Sequence, residues 1–391
     1  MTTPGAQDDG ALLAAANAAL QRGDAAAALT ALDEAARRGQ RSVDLFVARA
    51  VALRVTGDLA GGLAALDEAL ALDPMNLMAR LSKGFLLERL GRPREAAKAY
   101  RAALESAPPD YLVPPGLRGG LERARAAVAE DADAMLAYLT EQVAQVRAGF
   151  AGEAFGRFDE ALAIMAGKQQ ARVQQPLMLH YPELPAIAFY DRALFPWLET
   201  LEAATPTIQR ELAAALADAD GGFRPYIDYP PDAPVNQFAE LNRSPKWSSL
   251  FLWRDGVRND AACEAFPETA ALMETLPLAR QPGFAPTVNF SALQPRTRIP
   301  AHTGSTNTRL LTHLPLVLPG PARFRVGNHV RDWRMGEAWV FDDTIEHEAW
   351  NDADELRVIL IIDIWNPFLS KAEQDLISTM FLAARAYRDG R

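Results

Sequence analysis

Residues 32–35 read LDEA, and the same four letters return at residues 66–69, 34 positions further along the chain. A dipeptide that begins with glycine recurs at the same interval. Its three copies are Gly23-Asp24, Gly57-Asp58 and Gly91-Arg92. Small residues keep the same phase around these glycines, as at Ala35, Ala69 and Ala103. A fixed period of this length indicates a repeat architecture in which each unit is a helical hairpin.

The residue types fit the packing that such hairpins need. Two helices approach closely only where side chains are small, glycine supplies the turn between them, and a proline such as Pro74 or Pro108 ends the second helix. The pattern resembles the tetratricopeptide repeat over residues 8–110, which implies an α-helical solenoid. An alanine-rich helical bundle with accidental spacing is the alternative. The array either presents a concave surface to a peptide or protein partner or serves only for dimerisation or support.

Length and composition set broad limits. A chain of 391 residues exceeds one ordinary core, and 49% hydrophobic with 23% charged residues is typical of folded domains, so we expect two domains. The formal charge of −10 argues against a nucleic-acid partner, because such binding depends on clustered lysine and arginine. The single cysteine, Cys263, cannot form an intramolecular disulfide, which fits a reducing compartment.

The start of the chain does not resemble a secretion signal. Residues 1–10 contain two acids and no basic residue, and no apolar stretch approaches the ~20 residues that span a bilayer. We therefore expect no membrane span and a soluble, cytoplasmic protein.

Prolines and glycines crowd residues 109–119, which predicts a break after the repeats. Apolar residues at helical spacing then run from Leu121 to about Met165, so we assign residues 120–175 to a helical connector. The last residues, 371–391, are predicted to form a C-terminal helix.

Between these helical parts, residues 178–370 change character. Short β-rich runs alternate with turn formers such as Pro319-Gly320-Pro321, which favours a sandwich, jelly roll or barrel. The predicted strands are Thr287–Leu293, Leu310–Leu318, Ala322–Val326, Glu337–Phe341 and Leu356–Ile364. An amphipathic helix over Thr200–Leu216 is expected to brace the sheet.

Histidines are concentrated in this β-rich region. Four of the five, His302, His313, His329 and His347, fall within 46 residues. Arg357 stands inside an apolar strand and needs an anionic partner, because an unpaired buried charge is costly. A ligand carboxylate would serve, and so would a protein carboxylate. Two histidines on separate strands, with the arginine beside the second, favour a metal site with open positions for an anionic cosubstrate.

Several motifs in this region occur in a fixed order. They are His302-Thr303-Gly304-Ser305, His313-Leu314-Pro315-Leu316, Trp333-Arg334-Met335-Gly336-Glu337, Phe341 to Trp350, and Arg357 to Trp365. Together they resemble the catalytic core of the aspartyl/asparaginyl β-hydroxylases, with weaker similarity upstream to about residue 180. The resemblance implies a double-stranded β-helix, or cupin-like jelly roll, that uses Fe(II), 2-oxoglutarate and O2.

The same resemblance implies roles for individual residues. His302 and His347 would bind Fe(II). Gly304 would occupy the position at which most such oxygenases have an acidic ligand, and the family that the chain resembles also has glycine there. Arg357 would bind the distal carboxylate of 2-oxoglutarate. The other residues implied in the cosubstrate site are Ser291, Trp247 and His313. Leu311 departs from a family arginine, and Arg309 nearby is a candidate to compensate.

Other polar residues keep alternative interpretations. Asp342 and Asp343 either orient the metal-binding imidazoles or cap a turn. Arg325 and Trp333 contact substrate or belong to the strand surface and core, and His329 is expected on the surface. His180 lies outside the predicted strands.

The expected reaction is hydroxylation of an unactivated C–H bond. In the leading interpretation, this bond is at the β-carbon of Asp or Asn in a peptide or protein recruited by the repeats. An oxygenase acting on a small molecule or a lipid-linked acyl chain is the second interpretation. The third is a non-catalytic adaptor with a jelly-roll scaffold. Retention of both histidines and the strand arginine speaks against the adaptor, since buried polar groups are costly to keep without a use.

Overall fold

The structure is a computed structural model that describes residues 6–218, 221–232, 234 and 236–390. Expectations for residues 1–5 and for Arg391 lie outside the described residues. The chain divides into two compact units, Met1–Gln170 and Ala171–Arg391. The helices of the first unit are α1 (Ala6–Gln21), α2 (Ala25–Arg37), α3 (Val43–Thr56), α4 (Leu59–Leu72), α5 (Leu77–Arg89), α6 (Pro93–Glu105), α7 (Pro115–Ala148) and α8 (Gly156–Met165).

The helical-hairpin prediction for the repeats is confirmed. Gly23, Gly57 and Gly91 turn the chain between paired helices with φ of 76°, 89° and 70°, in the left-handed region that glycine adopts without strain. Within the third hairpin, α5 and α6 touch at Gly84, where an added Cβ would lie 2.4 Å from the ring of Tyr100. The small residue is therefore what lets these two helices pack.

The predicted break at residues 109–119 is wrong in its extent. A 3-10 turn occupies Asp110–Leu112, but α7 already begins at Pro115, where proline suits the first helical turn. Gly120 faces α5, and a Cβ there would lie 3.3 Å from Leu81, so this glycine serves close packing within a helix. The connector is also two helices, because the chain turns through Gly152, at φ 99°.

The second unit is an antiparallel β-sandwich with helices, as the jelly-roll prediction requires. Its strands are β1 (Arg224–Pro225), β2 (Trp247–Arg254), β3 (Val257–Arg258), β4 (Val288–Leu293), β5 (Thr297–His302), β6 (Arg309–Val317), β7 (Ala322–Val326), β8 (His329–Asp332), β9 (Trp339–Phe341), β10 (His347–Asn351) and β11 (Arg357–Trp365). The larger sheet has the order β1-β2-β4-β11-β6-β9, with β3 paired to β2, and the smaller one has the order β5-β10-β7-β8. All of these strand pairs are antiparallel.

Helices cover the outer face of the larger sheet. They are α9 (Leu198–Ala203), α10 (Thr205–Ala217), α11 (Asp260–Ala265) and α12 (Pro267–Thr275), and α13 (Lys371–Arg388) follows the last strand. On β11, Leu360 and Ile362 belong to the core beneath the helices, whereas Ile359 belongs to the core between the sheets. This alternation is the period of two that a strand imposes on its side chains.

Two further details differ from the sequence prediction. The bracing helix expected over Thr200–Leu216 is two helices, because Pro206 begins a new one. The five predicted strands correspond to β4, β6, β7, β9 and β11, whereas the other strands were not predicted, among them β5 and β10, which carry His302 and His347. Among the described residues, no helix combines the length and the apolar character needed to cross a membrane.

Candidate active site

A cavity of about 140 Å³ lies between the two sheets of the second unit. All seven residues that the sequence analysis assigned to a metal or cosubstrate site line it. They are Trp247, Ser291, His302, Arg309, His313, His347 and Arg357. Strand alternation explains the gathering, because the residues on β6 and β11 that line the cavity are spaced by two along each strand.

Two imidazoles meet at this cavity from neighbouring strands. His302 and His347 are register partners of β5 and β10, and their ring centroids lie 4.1 Å apart. Each Nδ1 contacts a carbonyl oxygen, that of Pro300 at 2.8 Å and that of Ile345 at 3.1 Å. A carbonyl oxygen only accepts, so each Nδ1 carries the proton and each Nε2 has a free lone pair.

Burial keeps these rings neutral. It lowers the pKa of His302, and it lowers the pKa of His347 well below the ordinary histidine value, with further repulsion from His302. Neutral imidazole is the form that binds a metal ion. The pair therefore offers two nitrogen ligands without competition from protons at neutral pH.

Arg357 lies deep in the same cavity with no hydrogen-bond partner on Nε, Nη1 or Nη2. The side chain is 1% exposed, and its guanidinium sits 4.6 Å from the centroid of the Trp333 ring. Burial lowers the pKa of Arg357 to about 9. The alternative of an ion pair with a protein carboxylate, for which Asp342 and Asp343 were the nearest candidates in the sequence, is wrong, because no carboxylate of the described residues bonds the guanidinium.

Polar groups surround this arginine. The indole N–H of Trp247 donates to Ser291 Oγ at 3.1 Å, which leaves the hydroxyl proton of Ser291 available to another acceptor. His313 is buried with Nδ1 unpartnered, and burial together with the charge of Arg357 lowers its pKa well below the ordinary value. Trp333 Nε1 is likewise buried without a partner. Several unsatisfied or available donors therefore converge on one small space.

Arg309 lines the cavity but is already paired. Its Nη1 lies 2.6 Å from Asp363 Oδ2, with both side chains largely buried, and its guanidinium stacks 4.9 Å from the ring of Phe284. The residue two positions further along β6 is Leu311, which lines the cavity between Arg309 and His313. Arg309 was expected to replace the family arginine that is absent at Leu311. Its guanidinium is instead paired with the carboxylate of Asp363.

The two acids before His347 do different things. Asp342 accepts hydrogen bonds from the backbone N–H of Thr344 at 2.9 Å and from its hydroxyl at 2.6 Å, which fits the turn-capping alternative. Asp343 lines the cavity and presses on Gly304, where an added Cβ would lie 1.9 Å from its Oδ2. A side chain at position 304 would displace Asp343, which gives a physical reason for the glycine.

Other candidates lie elsewhere. His329 and His180 are exposed, and Arg325 bonds Glu346 and Glu348 on the smaller sheet outside the cavity. Sequence reasoning missed Asn289, which lines the cavity from β4 and donates to Ser249 Oγ at 3.0 Å. The alternation that places Ser291 in the cavity could have identified it.

A jelly roll with two metal-competent imidazoles and an unpaired buried arginine in one cavity fits the class of hydroxylating enzymes. Comparison with known families agrees. Residues 202–367 match the model of the aspartyl/asparaginyl β-hydroxylases, and residues 13–74 and 47–111 match a tetratricopeptide repeat model. The chain is a member of the aspartyl/asparaginyl β-hydroxylase family, carrying tetratricopeptide repeats in its first unit.

Its relatives differ in what they are named for. The chain is 34% identical over 201 residues to an ornithine lipid ester-linked acyl 2-hydroxylase of Rhizobium tropici, matching 51% of this chain and 67% of that protein. It is 33% identical over 178 residues to the human aspartyl/asparaginyl β-hydroxylase, matching 45% of this chain but 22% of that protein. The human aspartate β-hydroxylase domain-containing protein 2 is 24% identical, matching 54% of this chain and 56% of that protein.

Proposed function

We propose that the chain is an Fe(II)- and 2-oxoglutarate-dependent dioxygenase that hydroxylates a C–H bond. The observation that carries the proposal is Arg357, a fully buried guanidinium without a protein partner. A buried unpaired charge is strongly disfavoured, so its retention points to an anion that arrives with the reaction. Arginine suits a carboxylate because its planar fork donates two parallel hydrogen bonds.

The metal would be held by Nε2 of His302 and Nε2 of His347. Their Nδ1–H groups are fixed by backbone carbonyls, and this aims the rings before any ligand binds. Two protein ligands leave positions for the cosubstrate and for O2. When bound, Fe(II) with 2-oxoglutarate and O2 supplies the oxidising power for C–H hydroxylation.

The protein's part is to orient the cosubstrate and to exclude water. Arg357 would bind the distal carboxylate, with the Ser291 hydroxyl as a second donor and the Trp333 indole N–H as a third. Trp247 orients Ser291 through its own hydrogen bond. His313 would meet the other end of the cosubstrate. For Arg309, the bond to Asp363 weighs against the expected cosubstrate role.

The Asp or Asn β-carbon of a peptide or protein is one candidate substrate, and the repeats favour it. In the first unit a groove of about 270 Å³ is lined by exposed or half-exposed apolar side chains such as Met78 and Phe85, with Arg54 over the Phe85 ring. Such a surface suits a peptide with apolar side chains and a nearby acid. The repeats would then recruit the target.

A lipid-linked acyl chain is the other candidate. The relative named for acyl 2-hydroxylation is matched over two thirds of its length, whereas the human aspartyl/asparaginyl β-hydroxylase is matched over about a fifth of its length. A non-catalytic adaptor is disfavoured, because it gives no reason to keep Arg357 buried and unpaired.

Succinate formation tests the dioxygenase itself. The purified chain should convert 2-oxoglutarate to succinate only with Fe(II) and O2, slowly alone and faster with a substrate. His302→Ala is the matched control, since it removes one ligand and keeps the sheet. Equal succinate formation by this variant and the wild type would refute the proposed site.

A further inference from the structure

A short segment outside the named strands, residues 174–179, crosses the two loops next to the metal-competent histidines. One loop, residues 303–308, follows His302 at the end of β5. The other, residues 342–346, precedes His347 at the start of β10. We call the crossing segment the strap.

Backbone hydrogen bonds hold the strap to each loop. The N–H of Gln175 donates to the carbonyl oxygen of Thr344 at 2.7 Å, on the loop before β10. The N–H of Leu177 donates to the carbonyl oxygen of Gly304 at 2.9 Å, on the loop after β5. The two loops therefore cannot separate without breaking bonds to the strap.

A further strap contact reaches the residue that aims one imidazole. Gln174 forms an isolated β-bridge with Ile345. The carbonyl oxygen of Ile345 lies 3.1 Å from Nδ1 of His347 and fixes the proton on that nitrogen. Partners that orient a metal-binding imidazole strongly affect metal affinity. The strap thus acts on His347 through the position of this carbonyl group.

The side chain of Gln174 joins the two loops directly. Its Nε2 donates to Asp342 Oδ2 at 2.6 Å and to the carbonyl oxygen of Pro185 at 3.4 Å, and its Oε1 accepts from Asn307 Nδ2 at 3.0 Å. Asp342 and Asn307 are both 0% exposed. Oδ1 of Asp342 accepts from Thr344, so Gln174 satisfies the second oxygen of this carboxylate. A buried oxygen without a donor is disfavoured, so this bond ties the loop to the strap.

We propose that Gln174 is a positioning residue for the metal site, because its side chain joins the loops beside His302 and His347 and so sets how the two imidazoles face each other. The inference rests on the proposed function, since it takes these two histidines as the metal ligands. With two protein ligands, no third side chain compensates for a misplaced imidazole. Gln174 itself lies outside the cavity lining and acts through the loops.

Binding of Co(II) alone, without 2-oxoglutarate or O2, tests this apart from turnover. Titration of the full chain, followed by the visible absorption of Co(II), gives both a Kd and a spectrum that depends on the metal's ligands. Gln174→Glu removes the donor and faces Asp342 with a second carboxylate. Kd for Co(II) should rise by at least ~10-fold, the lower end of the loss that follows removal of a group supporting a metal ligand. Gln175→Glu is the matched control, because it makes the same change at the neighbouring, exposed side chain, and its Kd should stay at the wild-type value.

Exchange of donor and acceptor gives the second arm. Gln174→Glu combined with Asp342→Asn places the amide on the loop and the carboxylate on the strap, so the bond between the two side chains forms again. The Oδ1 of the new asparagine still accepts from Thr344. This double variant should bind Co(II) more tightly than Gln174→Glu alone, and an equal Kd would overturn the inference. Gln174→Ala, which adds no charge, takes the place of Gln174→Glu if that variant does not fold.

Melting curves without metal separate positioning from support of the fold. Co(II) is titrated at a temperature at which each variant is fully folded. A lower melting temperature with a wild-type Kd for Co(II) would make Gln174 a structural residue only and overturn the inference. Failure of the proposed function gives a different result, because the wild-type chain then binds no Co(II), or His302→Ala binds it as tightly as the wild type, and the inference falls with the proposed site.

Discussion

Replacing Arg357 by methionine separates a ligand-binding arginine from a structural one. Burial lowers the pKa of Arg357 to about 9, and at ~1.36 kcal/mol per pH unit the buried charge destabilises the folded chain by at most about 5 kcal/mol. The contact of the guanidinium with the Trp333 ring offsets at most about 2 kcal/mol of this cost. Methionine keeps the apolar stem. The free energy of unfolding without ligand should therefore stay level or rise by up to ~3 kcal/mol.

The response to 2-oxoglutarate should move the other way. A concentration 100 times Kd stabilises the wild type by ~2.7 kcal/mol. Loss of one partner from a buried charge pair weakens binding by about 2–5 kcal/mol, so at the same concentration the variant should gain less than about 1 kcal/mol. Urea unfolding with and without 2-oxoglutarate, in a redox-inert metal, measures both quantities.

Arg309→Met is the matched control, because Arg309 lines the same cavity but has a protein partner. The substitution leaves the buried carboxylate of Asp363 without its ion-pair partner, so the free energy of unfolding without ligand should fall by about 3–5 kcal/mol. A comparable loss in Arg357→Met, or full ligand stabilisation in that variant, would refute the reasoning about Arg357.

The other predictions concern the metal, the units, the indole and pH. His302→Ala and His347→Ala should each abolish tight Fe(II) binding, because only one imidazole remains to hold the metal. Metal analysis after desalting measures this, and wild-type metal content in either variant would show that the replaced histidine is not a ligand. A chain beginning at residue 171 should fold and still be stabilised by 2-oxoglutarate, since the second unit has its own cores; a melting curve without a cooperative transition would contradict this. Trp333→Phe keeps an aromatic face under the arginine but loses the N–H, so the binding free energy of 2-oxoglutarate should weaken by about 1–3 kcal/mol, and an unchanged Kd would exclude the indole as a donor. Burial lowers the pKa of His313, so the folded chain keeps this imidazole neutral where the unfolded chain, with pKa near 6.5, protonates it. Stability without metal between about pH 7 and pH 5 should therefore fall less, or rise more, in His313→Phe than in the wild type, and equal pH profiles would contradict this.

Much of the architecture was accessible from local patterns. A 34-residue period with glycine at the turns determines helical hairpins, because only small residues permit the close approach seen at Gly84 and Tyr100. Short apolar runs between turn formers likewise determine strands, and the residue order around His302, His347 and Arg357 indicated the family. These signals depend on a few neighbouring residues, so one sequence carries them.

Helix boundaries at residues 109–119 and 149–155 were less accessible, because glycine and proline either break a helix or fit within one. Pro115 begins α7 and Gly120 packs inside it, whereas Gly152 turns the chain. The outcome depends on what each position contacts in the folded chain.

Only the tertiary structure decided the partners of the charged residues. In sequence, Arg309 and Arg357 both read as candidates for a carboxylate. The fold places Asp363 beside Arg309 and no acid beside Arg357, because pairing between β6 and β11 joins residues 54 positions apart. It also pushes Asp343 against Gly304. Charge compensation at a buried site depends on distances between strands, and those distances arise from sheet register, which the local sequence pattern does not contain.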